Sequence, residues 1–222
     1  AAVSYNFGAS TYSCNGMSSL ASLAATAIVT QLVDLESGWN LWSTYINPIE
    51  PDVADVFADI VGQVVIIKNQ FGSVYWPAYN LNSIGDLTEG WGYQAKMISD
   101  VTLAVSGSVI PSDYAISLND GWGMIGYLNQ ECFNTIDMMS SLSGLIILKD
   151  EYGSVYWPAF GLNNIGDMCP GKGYQIKMDA ADMFSYPSGG RFGFGEFTEL
   201  KVPVYYESAY NTGNNMTIGL PT

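Results

Sequence analysis

The sequence predicts a mainly β fold, a β-rich α+β protein made of two tandem pseudo-symmetric modules with strand-like terminal arms. Three observations predict this fold. Residues 68–97 align without a gap on residues 149–178, and 19 of the 30 positions are identical. Short runs rich in aromatic and β-branched residues alternate with glycine and proline turns, which is typical of strands. Helical periodicity occurs only once in each copy.

The repeat also sets the expected domain bounds. Upstream of the matched stretch, Gly38-Trp39 corresponds to Gly121-Trp122 at an offset of 83 residues. Each module is expected to be a small antiparallel sheet or barrel with one short helix, packed against its twin. We therefore predict an N-terminal arm at 1–35, modules at 36–99 and 119–180, linker strands at 100–118 and C-terminal strands at 181–222.

In the first module, the chain is expected to begin with a strand over 39–46, which prolines then end. Asp52 is the predicted N-cap of a short amphipathic helix, followed by a buried strand at 64–67. A hairpin returns the chain, and a strand at 93–97 closes the module. The apolar positions of the predicted helix are Val53, Val56, Phe57, Ile60 and Val61.

The second module is expected to repeat this order. Its predicted helix carries Phe133, Ile136, Met139 and Leu142. Four glycines at matched turns are expected to provide the positive φ angles that other residues rarely adopt. These glycines are Gly72 and Gly153 in the hairpins, and Gly85 and Gly166 further along.

Composition excludes several functions. The net charge is −14, with one arginine and six lysines, so the chain lacks the clustered positive charge that nucleic acids or anionic membranes require. No apolar stretch is long enough to predict membrane insertion. Histidine is absent, which removes His-based triads and His-ligated metals. We expect no catalytic residues and no cofactor.

The three cysteines leave two alternatives open. Cys132 and Cys169 both lie in the second module, where the first has Ile49 and Thr88. A pair gained in one copy suggests a disulfide, with Cys14 left over. The alternative is three buried free thiols.

Acidic residues offer the only metal candidates. Asp86 and Asp167 recur in the same turn of both copies, beside a glycine. An Asx-turn role is favoured over a metal site, because these residues commonly cap turns. Calcium remains an open alternative, since it prefers several carboxylate oxygens.

Aromatic residues offer a carbohydrate-binding hypothesis. The rings that could stack on sugars are Trp39, Trp42, Tyr75, Trp76, Trp91 and Tyr93, and Trp42, Trp91 and Tyr75 are the selected ligand candidates. Trp91 is expected to be exposed, because the second copy has Lys172 at that position. The alternative is that these rings form the core and the contact between modules. Four of the six lysines are also repeated, and we expect them to pair with carboxylates or to protect strand edges. They are Lys68, Lys149, Lys96 and Lys177.

The motif order resembles a recurrent secreted module. The first copy contains Gly38-Trp-Asn-Leu41, then Val74-Tyr-Trp-Pro77, and finally Gly90-x-Gly-Tyr-Gln-x-Lys96. This order is similar to the GWNL…GYxIK module of large surface and extracellular proteins, notably of Bacteroidota, and of marine phage reading frames. The second copy departs from the pattern at Gly123 and Met124. The resemblance implies surface display or a virion part.

We expect a non-enzymatic structural component of an extracellular, cell-surface or virion assembly such as a fibre or sheath. Its terminal strands would contact other copies or other subunits. The alternative is a carbohydrate-binding or adhesion module that uses exposed aromatic rings. A third hypothesis is a carboxylate-based hydrolase with two acids in a cleft between the modules.

Overall fold

The computed structural model of the protein describes residues 27–187, and this part is mainly β. The strands of the first half are β1 (Val29–Leu35), β2 (Gly38–Trp42), β3 (Ile46–Pro48), β4 (Val64–Lys68), β5 (Val74–Trp76), β6 (Leu81–Asn82), β7 (Tyr93–Met97) and β8 (Val101–Val109). The strands of the second half are β9 (Ile116–Leu118), β10 (Gly121–Gly126), β11 (Phe133–Asn134), β12 (Leu145–Lys149), β13 (Val155–Trp157), β14 (Leu162–Asn163), β15 (Asp167–Met168), β16 (Gly173–Met178) and β17 (Asp182–Phe184).

Two five-stranded antiparallel sheets have the same strand order. The first runs β2-β7-β4-β5-β6 and the second runs β10-β16-β12-β13-β14. Each sheet contains the same irregularity in register, between Val64 and Ile66 in β4 and between Leu145 and Ile147 in β12. This agreement is consistent with the predicted tandem modules.

The strands outside the repeats complete the two cores. Strands β1, β8 and β3 form a separate antiparallel sheet, and Val33 and Leu103 from it pack with the buried residues of the first repeat. Strands β9 and β17 pair with each other, and Ile116 and Phe184 from them join the core of the second repeat. Each core therefore includes residues from outside the repeats at 36–99 and 119–180.

The predicted helix of the first repeat is shorter than expected. Helix α1 covers Val53–Val56, where the Asp52 side chain caps it by accepting from the Ala54 N–H. A 3₁₀ segment, Ala58–Gln63, follows, and Ile60 inside it has non-helical backbone angles. The segment contains Ile60, Val61 and Gly62, which are weaker helix formers than alanine, and the α-helix ends after one turn.

The second repeat shows the same departure. Helix α2 covers Thr135–Met138, so Phe133 lies in β11 instead of in the helix, and Ile136 is half exposed. Only Met139 and Leu142 of the predicted stripe are buried. Two further 3₁₀ turns, Pro77–Tyr79 and Pro158–Phe160, occupy matched places in the two repeats.

The predicted strand at 39–46 is also interrupted. Strand β2 ends at Trp42, and β3 begins at Ile46 in a different sheet. The break has a physical reason, because the Ser43 N–H donates to the carbonyl of Gly171 in the other repeat instead of continuing the ladder. Pro48 lies in β3 at an edge position, where a missing N–H is tolerated.

The turn glycines adopt left-handed backbone angles, with φ of 85° at Gly72 and 86° at Gly153. Gly85 and Gly166 likewise have φ of 66° and 77°. Asn82, however, takes the turn-capping role expected of Asp86, because its side-chain oxygen accepts from the Gly85 N–H.

The same correction applies to the second repeat. Asn163, not Asp167, accepts from the Gly166 N–H. Asp167 instead pairs through its backbone with Asn134. The predicted terminal arms within 1–26 and 188–222, and with them Cys14, lie outside the described residues. Within residues 27–187, no helix is long and apolar enough to cross a membrane.

Candidate functional site

Matched residues of the two repeats form reciprocal contacts where the repeats meet, and Ser43 and Gly126 are one such pair. The Ser43 N–H donates to the Gly171 carbonyl at 3.0 Å, and the Gly126 N–H donates to the Gly90 carbonyl at 2.8 Å. Gly171 and Gly90 are matched positions of the repeats, as are Ser43 and Gly126 at the offset of 83. The interface is therefore self-complementary, as in a symmetric dimer.

Glycines allow the two backbones to approach closely. A Cβ at Gly92 would lie 2.8 Å from the Ile125 carbonyl oxygen, and a Cβ at the matched Gly173 would lie 2.7 Å from the Trp42 carbonyl oxygen. Atoms at these distances clash, so only glycine fits. The repeated Gly-x-Gly-Tyr motif thus contributes directly to the contact between the repeats.

The hairpin of each repeat reaches across to the other. The Gln70 Oε1 atom accepts from the Met124 N–H at 2.9 Å, and the matched Glu151 Oε2 atom accepts from the Leu41 N–H at 3.1 Å. The matched position of the first repeat is Asn40, so the same contact forms beside a residue with a Cβ, and nothing in the structure explains the departure at Gly123 and Met124.

These contacts leave a groove on the outer face of the molecule, with two arms that share Gln94 and Gln175. The arm that contains Trp122, here called the Trp122 arm, has a volume of about 360 Å³. The arm that contains Trp39, here called the Trp39 arm, has a volume of about 280 Å³. The Trp122 arm is also lined by Asn69, Gln70, Gly123 and Met124. The Trp39 arm is also lined by Asn40, Leu41, Lys149, Asp150, Glu151 and Gly153.

The indole rings of Trp39 and Trp122 are the main aromatic surfaces of this groove, and they are 50% and 52% exposed. Two lysine side chains flank each ring. Lys68 Nζ and Lys96 Nζ lie 5.1 and 5.8 Å from the Trp39 ring centre. The matched Lys149 Nζ and Lys177 Nζ lie 5.2 and 5.7 Å from the Trp122 ring centre, within cation–π range.

The aromatic residues that the sequence singled out as ligand candidates lie elsewhere. Trp42 is 1% exposed and packs edge-on against Phe57 at 5.1 Å, so it is a core residue. Tyr75 is 8% exposed and also belongs to this core. Trp91, expected to be exposed, is partly buried and packs against Phe71 at the contact between the repeats.

The four repeated lysines depart from expectation too. Within residues 27–187, the one ion pair joins Lys172 to Glu151, and none of the four repeated lysines has a carboxylate partner there. Their ammonium groups lie beside tryptophan rings instead. The cross-strand register explains part of this arrangement, because Trp39 lies opposite Lys96 and Trp122 lies opposite Lys177.

The acids of the groove have structural contacts. The Asp150 Oδ1 atom accepts from the Tyr152 and Ser154 N–H groups, and Glu151 is held by Lys172 and by the Leu41 N–H. In the first repeat, Asn69 makes the same two backbone contacts as Asp150. Both groove carboxylates therefore stabilise the hairpin and its contacts.

The metal candidates lie outside the groove. Asp86 forms a backbone bridge with Asp52, whose carboxylate also accepts from Asn82 Nδ2. Across the described part of the chain, no three acidic or cysteine side chains are grouped closely enough to hold a metal ion.

The second repeat contains a disulfide between Cys132 and Cys169. It links the segment before helix α2 to the turn before β16, and the Cys169 N–H donates to the Tyr174 hydroxyl at 3.0 Å. The first repeat uses the same hydrogen bond, from the Thr88 N–H to the Tyr93 hydroxyl at 2.7 Å, without a disulfide. Of the two alternatives that the sequence left open, the structure has the disulfide.

Burial raises the pKa values of tyrosine side chains near the groove and in the core. Burial, aided by the negative charge of Glu151 and by a hydrogen bond to Glu36, raises the pKa of Tyr152 to about 12. Burial also raises the pKa of Tyr174 to about 12. Both phenols are therefore neutral at ordinary pH and can donate or accept hydrogen bonds.

Comparison with protein-family models, curated proteins and solved structures found no match to this chain. The assignment of a function therefore depends on the geometry of the groove. From the sequence, Trp39 was considered but not selected, and Trp39 and Trp122 were not recognised as an exposed pair, although both tryptophans and all four flanking lysines are repeated. That shared pattern was the available signal.

Proposed function

We propose that this chain is a glycan-binding module of an extracellular protein, and that the groove between the repeats holds an extended sugar chain. The single observation that carries this proposal is the symmetric groove with one half-exposed tryptophan in each arm. The C–H face of a pyranose ring is apolar and stacks on an indole ring. Two such rings separated by amide side chains suit a ligand of several sugar units.

The polar groups of the groove support the same ligand. Gln94 and Gln175 line both arms, and Asn69 lines the Trp122 arm. A side-chain amide both donates and accepts hydrogen bonds, which matches the hydroxyl groups of a sugar. Ligand sites are commonly concave, with a few polar groups that fix orientation.

The extracellular location is supported by the disulfide, since disulfides persist in oxidising compartments. It is also supported by the resemblance to secreted modules noted above. Calcium is not required by this proposal, because the ligand contacts come from indole, amide and ammonium groups.

The test is affinity electrophoresis with a panel of neutral and acidic polysaccharides: dextran, xylan, pectate and alginate. Trp39→Ala and Trp122→Ala should each weaken binding about tenfold, or about 1.4 kcal/mol. Neither variant should unfold the protein, because both rings face solvent. Trp157→Ala is the matched control, since Trp157 is exposed, lies in β13 next to the edge strand and does not line the groove. Equal binding by all three variants and the wild-type chain would refute the groove as the binding site.

A structural role in an assembly is the second candidate, and one specific observation favours it. Each sheet ends on a short strand beside an exposed pair of aromatic rings. Trp76 and Tyr79 lie 4.5 Å apart in one sheet, and Trp157 and Phe160 lie 4.5 Å apart in the other. Tyr79 and Phe160 are 70% and 72% exposed. Exposed apolar patches are common at protein interfaces.

Light scattering tests this second candidate. If the aromatic edges join copies of the chain, the wild-type protein should form oligomers and the double variant Tyr79→Ser/Phe160→Ser should be monomeric. A wild-type monomer at all concentrations would argue against assembly through these edges. The expected contacts through terminal strands lie outside the described residues.

A further inference from the structure

Positive charge is concentrated beside the two groove tryptophans of a strongly acidic protein. The whole chain has a net charge of −14 and six lysines. Four of these lysines, Lys68, Lys96, Lys149 and Lys177, flank the two groove tryptophans. On a surface of this net charge, such a cluster provides a local site of attraction for an anion.

The charge of these four lysines is not balanced by ion pairs among residues 27–187, where only Lys172 is bonded to a carboxylate. An ammonium group beside an indole ring keeps donors available for a third partner. A carboxylate or sulfate group on a stacked sugar would receive charge-assisted hydrogen bonds from these donors, which are stronger than neutral ones.

The two arms differ in charge, because the hairpins that line them differ. The Trp122 arm is lined by Asn69 and Gln70 and has no carboxylate among its lining residues. The Trp39 arm is lined at the matched positions by Asp150 and Glu151, and also by Lys149, whose Nζ atom lies 5.2 Å from the Trp122 ring centre. Glu151 is paired with Lys172, but Asp150 has no lysine partner among the described residues. Trp122 thus has two ammonium groups beside its ring and no carboxylate in its arm, which favours an anion there over the Trp39 arm.

We propose that the ligand is an acidic polysaccharide, with a carboxylate- or sulfate-bearing sugar in the Trp122 arm and a less charged sugar in the Trp39 arm. This inference rests on the proposed glycan-binding function. It adds the chemical class of the ligand and the direction in which the polysaccharide lies in the groove. Lys177 lies beside Trp122, and Lys96 lies at the matched place beside Trp39.

The first test compares pectate with fully methyl-esterified pectin by titration calorimetry, because the two polymers share a backbone and differ in charge. Pectate should bind at least tenfold more tightly at low salt, and this advantage should shrink at 0.5 M NaCl because salt screens exposed charges. Dextran sulfate against dextran is the parallel pair for a sulfate-bearing ligand. A preference for the charged member of only one pair identifies the anion, and it supports the proposal.

Matched variants then test the direction of the bound polysaccharide. Lys177→Gln should weaken binding of the preferred acidic polymer about five- to tenfold, whereas Lys96→Gln should weaken it twofold or less. Asp150→Asn should strengthen binding two- to fivefold. This substitution should leave the hairpin intact, because Asn69 already makes the same backbone contacts in the first repeat.

The outcomes separate this inference from the proposed function. Equal binding of charged and neutral polymers, with Trp39→Ala and Trp122→Ala still weakening both, would overturn the acidic ligand and leave glycan binding in place. Equal losses in Lys177→Gln and Lys96→Gln would overturn the assigned direction. If no polymer of either charge bound the wild-type protein, both proposals would fall together. Thermal unfolding of each variant confirms that it is folded.

Discussion

Ser43 and Gly126 occupy matched positions in the two repeats, and each donates its backbone N–H to a glycine carbonyl of the other repeat. The Ser43 hydroxyl adds a contact that Gly126 lacks, since it donates to the Lys172 carbonyl at 2.6 Å and accepts from the Tyr127 N–H at 3.0 Å. The two repeats thus form a single unit around these two residues. The groove exists because the repeats are held in this arrangement, which leads to the first prediction.

Gly92→Ala should destabilise the contact between the repeats. Its Cβ would lie 2.8 Å from the Ile125 carbonyl oxygen, and backbone atoms cannot move aside easily. We expect a loss of about 1–3 kcal/mol in the free energy of unfolding, the usual range for overpacking. Urea denaturation measures it. Gly62→Ala is the control, because no atom lies within 4 Å of the added Cβ there. Equal stability of both variants would contradict the assigned role of Gly92.

Trp42→Ala should unfold or strongly destabilise the first repeat. The ring is 1% exposed and packs against Phe57 and Tyr93. Removing a buried tryptophan costs about 3–5 kcal/mol, as for other large-to-small core changes. Circular dichroism during urea denaturation gives the value. Trp39→Ala provides the comparison three residues away, and a loss of stability there as large as for Trp42→Ala would contradict the assignment of Trp39 to the solvent-facing side.

Removal of the disulfide should destabilise the second repeat. Cys132 and Cys169 are 37 residues apart, so the bond restricts a sizeable loop in the unfolded chain. The double variant Cys132→Ala/Cys169→Ala should lose about 2–4 kcal/mol of stability. Both it and the reference protein should carry Cys14→Ala, so that no free thiol remains. The reference protein should lose similar stability in reducing agent, and the double variant should not respond. Insensitivity of the reference to reduction would refute a stabilising bond.

Alkaline pH should destabilise the fold through the buried phenols. Burial raises the pKa of Tyr174 to about 12 and that of Tyr127 still further, whereas an unfolded tyrosine ionises near pH 10. Below pH 10 the two tyrosines are protonated in both the folded and the unfolded state, so their contribution to stability is complete. Above pH 10 the unfolded state loses protons first, so stability falls as the pH rises toward 12.

Urea denaturation between pH 8.5 and 11.5 measures this dependence, again with Cys14→Ala to prevent thiol exchange. Tyr174→Phe removes one of the ionising groups, so its stability should fall less steeply with pH than that of the reference. The Tyr174→Phe variant also loses the hydrogen bond from the Cys169 N–H. This loss lowers the free energy of unfolding at every pH and does not change its slope against pH. Identical slopes for the two proteins would argue against burial of the Tyr174 phenol.

Much of the fold followed from local sequence patterns. The hairpin glycines were predictable because a left-handed turn restricts the residue type, and φ is 85° at Gly72 and 86° at Gly153. The short helices were less predictable. A stripe from Val53 to Val61 fits helical periodicity, yet Val61 is 40% exposed and the α-helix ends at Val56. Val53 and Phe57 are fully buried, and Val56 and Ile60 pack partly against the same core, so the periodicity identifies the buried side of the segment but not whether its turns are α or 3₁₀.

The site itself depended on information that the sequence lacks. Trp39 and Trp42 are three residues apart in β2, so the alternation of a strand places them on opposite faces. The alternation does not determine which face is buried. The prediction that Trp42 contacts a ligand was wrong for that reason. The lysines were identified as repeated, but their position beside tryptophans depends on the register between β2 and β7, and between β10 and β16.

The amino-acid sequence alone was sufficient to predict the duplication, the mainly β class, the turn glycines and the exclusion of functions that need histidine or clustered basic residues. These properties depend on residue type and short-range periodicity. The tertiary structure decided which tryptophans face solvent, how β1, β8, β9 and β17 complete the two cores, and that a groove lies between the repeats. Those features arise from contacts between residues far apart in the chain, such as Gln70 with Met124, and no local pattern encodes such a contact.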